Sequence, residues 1–144
     1  MLIYGVCISD IKNINEEKAV EFLNELAQLG YEDYLDEFLE NKKDNGDDYN
    51  FNEWMYYFEA DGYYGLSAFL KQVIEELEGV NISCDDPNGV HYLGLGLDAP
   101  WYYNRKTKNI SKKDYEEILI KYINKVTDDV LKIKYWCVED DCDW

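Results

Sequence analysis

His91 is the only histidine in the chain, so any Ser-His-Asp or Cys-His arrangement has to be built on it. It falls in a leucine-alternating stretch and shares a predicted strand face with Leu93, Leu95 and Leu97. Such a side chain reads as a histidine packed at the margin of a sheet, beside the core, and not as a general base. Cys84 lies across the predicted hairpin, within reach of His91, and reads as a small apolar filler. Cys137 and Cys142 lack the tight spacing of a zinc knuckle, and no second Cys or His pair completes four ligands. They read as a buried strand cysteine and a tail cysteine that could pair under oxidation.

Asp44, Asn45, Asp47, Asp48, Asn50 and Asn52 crowd one short stretch, which raises the question of calcium. Aligning Gly46 with the glycine of an EF-hand loop puts Lys43 at a ligand position and Asn52 where the bidentate Glu belongs. Two essential positions fail, so the stretch reads as a solvated turn. Leu93, Gly94, Leu95, Gly96 and Leu97 lack the third glycine of a nucleotide-binding loop, and their alternation marks a strand. There the glycines are expected to leave room for a large side chain or a crossing helix. Carboxylate pairs suited to glycosidic chemistry are so numerous that proximity carries little information. From these residues no catalytic group, resident metal or cofactor is expected.

Charge says more. The 144 residues contain 31 Asp and Glu against 14 Lys and Arg, a net charge of −17. That balance favours cationic partners and opposes direct contact with nucleic acid or an anionic membrane. Residues 1–104 carry 22 acidic and five basic side chains, whereas residues 105–134 carry five acidic and nine basic. The negative field therefore belongs to the first two predicted helices, the stretch at 42–50 and the hairpin turn. Arg105 is the only arginine; with many Asn, Ile and Tyr, this composition points by association to an AT-rich bacterial or phage genome. Residues 1–10 do not resemble a secretory signal, and no apolar run approaches the roughly 20 residues that span a bilayer. With four scattered cysteines, a reducing bacterial cytoplasm is the expected compartment.

The elements that must carry these residues follow from periodicity. Residues 2–9 are apolar and β-branched, a strand buried on at least one face. Asn15 is placed to cap a helix whose Ala19, Phe22, Leu23 and Leu26 form a stripe, with Gly30 as its stop. A second short helix sets Tyr31, Tyr34, Leu35 and Phe38 opposite Glu32, Asp33, Asp36, Glu37 and Glu40. Residues 41–50 read as a loop around Asn45-Gly46; over residues 51–60 the alternation of Trp54, Tyr56 and Phe58 favours a strand, with a buried helical turn as the alternative. Leu66, Phe69, Leu70, Val73, Ile74 and Leu77 predict a helix over Leu66–Glu78, closed by Gly79.

Residues 80–84 and 90–97 flank a hairpin turn at 85–89. Ser111 and Asp114 suggest an imperfect capping box, Asp standing where Glu or Gln is usual, with Ile110 stapling against Tyr115, for a helix striped by Tyr115, Ile118, Leu119, Tyr122, Ile123 and Val126. Residues 131–138 alternate as a half-exposed strand. The expected fold is α+β: a single domain over 1–138, with a small, largely antiparallel sheet of about four or five strands and about four helices, and an acidic tail at 139–144.

Aromatic residues are in excess, with 14 Tyr, five Phe and four Trp. Some must fill the core, but Trp101, Tyr102 and Tyr103, after Pro100, are placed to anchor a partner. With the carboxylates of Glu32, Asp33, Asp36, Glu37, Glu40, Asp44, Asp47 and Asp48, they make up the candidate binding residues. The expected partner is a basic protein, a nuclease or other nucleic-acid-binding enzyme, whose cationic surface this array would occupy. In broad character the chain resembles small acidic phage inhibitors of the anti-CRISPR and DNA-mimic type, and equally acidic immunity proteins that neutralise nuclease toxins. These resemblances are of type and rest on no shared motif. A small enzyme or ligand-binding protein is the remaining alternative.

Overall fold

The computed structural model describes residues 2–56, 58, 64–85, 90–96 and 111–137. At its centre lies β1 (Leu2–Cys7), which runs into one turn of 3-10 helix (Ile8–Asp10). The helices α1 (Glu16–Gln28), α2 (Glu32–Asn45), α3 (Phe51–Met55) and α4 (Leu66–Glu78) follow. The chain then returns to the sheet as β2 (Ser83–Asp85) and β3 (Tyr92–Gly96), forms α5 (Lys112–Ile123) and ends its described part in β4 (Lys134–Cys137). The strand order is β2-β3-β1-β4, and every pairing is antiparallel. The fold is therefore α+β, one compact domain around one core.

Side-chain alternation assigns the two faces of the sheet. Val6, Leu93 and Leu95 belong to the cluster formed with the helices. Ile3, Gly5, Cys7, Gly94 and Trp136 point the other way, by the registers Ile3 to Gly96, Gly5 to Gly94 and Ile3 to Trp136. Gly5 and Gly94 stand directly opposite each other. A Cβ on either would come within 2.7 Å of the other's Cα, so only glycine allows these backbones to approach so closely. Trp136 donates its indole N–H to the Gly5 carbonyl at 2.9 Å and meets the Tyr92 ring at 5.5 Å, so the indole crosses β1 at Gly5. A large side chain does lie over the glycines, but the tight fit is between the strands themselves.

The helix ends follow local chemistry. Asn15 Oδ1 accepts the Lys18 N–H and starts α1. At the other end Gly30, at φ +96°, lets its own N–H reach the Ala27 carbonyl and the Tyr31 N–H reach that of Leu26. This paired closure turns the chain directly into α2. Ser111 and Asp114 form a complete capping box on α5.

Two expectations are overturned. Residues 41–45 are not loop: α2 continues to Asn45, and Gly46 ends it at φ +99°. Asn41 and Asn45 donate their side-chain amides to the carbonyls four residues earlier, while Lys42 and Lys43 compensate the negative end of the helix dipole. Polar composition misled because an exposed final turn looks like a loop. Residues 51–55 are helix, not strand. Phe51, Trp54 and Met55 are fully buried while Tyr56 is 49% exposed, the signature of a helical face. Asn50 Oδ1 accepts the Glu53 N–H at 2.8 Å, and the Glu16 carboxylate of α1 accepts the Phe51 N–H at 2.8 Å. The acceptor that completes this N-terminus comes from a distant helix and is invisible to local pattern.

Trp54 centres an aromatic core. Its ring centroid lies 5.6 Å from Phe38, 5.9 Å from Phe51 and 5.9 Å from Phe69, and Phe69 meets Tyr34 at 5.5 Å. Much of the aromatic excess therefore fills the interior. Among the described residues no helix is long and apolar enough to cross a membrane.

Candidate protein-binding surface

At roughly 100° per residue along α2, Tyr34 and Phe38 point to the core, and Glu32, Asp33, Asp36, Glu37, Glu40 and Asp44 occupy the opposite arc. All six are exposed, as are Asp47 and Asp48 in the turn beyond Gly46. The orientation of the helix is set from beneath. Tyr34 donates its hydroxyl to Glu76 Oε2 at 3.0 Å, and Tyr31 donates to the Glu76 carbonyl at 3.4 Å, tying the first turn of α2 to α4. Burial, reinforced by the bond to Glu76, pushes the Tyr34 hydroxyl well above the ordinary phenol range, so it stays a donor.

Partnership separates this array from most described carboxylates elsewhere, with such isolated exceptions as Glu17 and Glu21 of α1 and Glu53 of α3. Glu25 pairs with Lys125 at 2.9 Å, Glu78 with Lys121 at 3.2 Å, Glu75 with Lys71 at 2.7 Å and Asp128 with Lys18 at 2.8 Å. Glu16 accepts the Phe51 N–H, and Asp129 accepts the N–H groups of Lys12 and Asn13. Glu78 also accepts the Tyr122 hydroxyl, which with Lys121 holds its carboxyl below the usual range. Among the described residues, none of the eight acidic side chains at 32–48 makes an ion pair or a side-chain hydrogen bond. Lys42, the nearest cation to the core side, leans over the Phe38 ring at 6.0 Å.

The mildly basic segment thus has an internal task. Lys121 and Lys125 of α5 and its following turn pair with Glu78 of α4 and Glu25 of α1, while α2 and its turn hold eight carboxylates against two lysines. The inner margin of the array borders a cleft of about 280 Å³ between α2 and α4, where Asp33, Glu37 and Glu76 face Tyr31 and Tyr34. Two exposed apolar side chains adjoin the acidic residues and were not picked out by sequence reasoning: Leu39, 50% exposed on α2, and Leu29, 64% exposed at the end of α1. Leu39 was not legible, since at i+4 from Leu35 it continues the stripe of Tyr31, Tyr34, Leu35 and Phe38, and only the packed fold leaves it exposed.

The other candidates are dispersed. Trp101, Tyr102, Tyr103, Ile110, Cys142, the turn at 86–89 and the tail at 139–144 lie outside the described residues. His91 is buried just before β3 rather than within it; its N–H donates to Ser9 Oγ at 2.9 Å and its carbonyl accepts the Ile8 N–H at 2.8 Å. Its ring meets Tyr64 edge-on at 6.4 Å, and no described side chain hydrogen-bonds to it. Cys84 on β2 stands opposite Leu93, whereas buried Cys7 stands opposite Tyr92, so the two thiols point to different faces of the sheet.

The polar stretch at 44–52 is divided among α2, the turn beyond it and α3. Asp44 and Asn45 finish α2, Asn50 caps α3, and Asn52 accepts the Tyr64 hydroxyl. Among the described residues no three His, Cys, Asp or Glu side chains converge as a metal site. Comparison with family profiles, with curated proteins and with solved structures finds no match to this chain.

Proposed function

We propose that this protein acts by binding rather than catalysis, as an inhibitor that lays its α2 carboxylate array on the cationic surface of a basic protein. The partner is a nuclease or another nucleic-acid-binding defence enzyme in the bacterial cytoplasm. One observation carries the reading: the eight acidic side chains at 32–48 are exposed and without internal cations, while the three carboxylates of α4 and Glu16 and Glu25 of α1 are paired or hydrogen-bonded. That leaves only Glu17 and Glu21 of α1 without such a contact among the described carboxylates of these two helices. A surface kept free of its own counter-ions is available to a partner's.

Spacing supports the same reading. From Glu32 to Asp44 the helix rises roughly 18 Å at ~1.5 Å per residue and carries six carboxylates. That is a mean axial spacing of about 3.6 Å over five intervals, close to the ~3.4 Å per phosphate along one nucleic-acid strand. The array is held on a helix tied down at Tyr31 and Tyr34, so little ordering cost accompanies binding. The cleft beside it suits a single lysine or arginine side chain, with Asp33, Glu37 and Glu76 for its charge and two tyrosines for its stem.

The test is affinity capture from the source bacterium or phage host at low and high salt, using the native protein and a variant carrying Asp36→Lys and Glu40→Lys. Recovery of a basic nucleic-acid enzyme by the native protein at low salt, displaced by competing DNA or RNA, is the expected result. A partner retained equally at both salt concentrations and by the charge-reversed variant would show that the array is not the binding surface.

A further inference from the structure

We draw no further inference here: the strongest candidate, the apolar groove between α5 and the segment leading into β4, where Val6, Ile123, Leu131 and Ile133 lie beside the exposed Ile120 and Val130, carries nothing because nothing in the structure shows what covers it.

Discussion

Replacing Asp36 by Asn and both Glu37 and Glu40 by Gln should make the protein more stable. Along α2, six like-charge pairs stand at i,i+3 or i,i+4: Glu32–Asp36, Asp33–Asp36, Asp33–Glu37, Asp36–Glu40, Glu37–Glu40 and Glu40–Asp44. Each exposed pair of this kind costs roughly 0.2–0.5 kcal/mol at low ionic strength. The three substitutions remove all six and also one opposite-charge i,i+3 spacing, Glu40 and Lys43, which are not in ion-pair contact. Amide-for-carboxylate exchange barely changes side-chain size or helix propensity, so the net gain is about 1–2.5 kcal/mol. For a chain of this size that is a rise of several degrees in Tm.

Circular dichroism during thermal and urea denaturation reads the gain directly. Repeating it at ~1 M salt, where the screening length falls to about 3 Å, should erase most of the difference. The same variant should lose the partner captured by the native protein, separating a cost in stability from a gain in binding. Unchanged or lower stability at low salt would refute the reasoning. It would mean that these carboxylates make contacts that hold the fold, and that the array is not a free surface.

Three further outcomes are expected. Glu78→Gln should flatten the acid limb of stability: the native carboxyl has a lowered folded-state pKa, so its contribution is present above the ordinary glutamate value and is lost as pH falls through the folded one. Urea titrations at stepwise lower pH should therefore show the two proteins converging below about pH 4, and a constant difference would argue against the Tyr122 and Lys121 contacts. Asn15→Ala removes the α1 cap and the amide bond to Asp128, and should cost about 1 kcal/mol in chemical denaturation. Gly94→Val forces a Cβ against the Gly5 backbone and should destabilise by about 3 kcal/mol or more, seen as loss of soluble folded protein; an unaffected Tm would show that the strands can separate there.

Local chemistry made much of the fold readable. The stripe of Leu66, Phe69, Leu70, Val73, Ile74 and Leu77 marked α4 at its observed ends, because a 3.6-residue period needs no distant partner to be recognised. The caps at Asn15 and Ser111 and the stop at Gly30 act within a few residues and were equally plain. The α3 region was misread because short aromatic runs fit either period. Its helix depends on Glu16, 35 residues away, and on the aromatic core around Trp54.

Amino-acid order alone placed Glu32, Asp33, Asp36, Glu37 and Glu40 on one arc, since helical spacing is a local property, whereas Asp44 joined them only because α2 runs on to Asn45. It also established that the chain carries more negative charge than its own cations can neutralise. Which carboxylates would remain without a partner was decided only when the chain packed. Lys125 reaches Glu25 across 100 positions and Lys121 reaches Glu78 across 43, and neither meeting has a sequence period to announce it. Ion pairs form between surfaces brought together by the burial of other residues. The exposed array at 32–48 is what that packing left over.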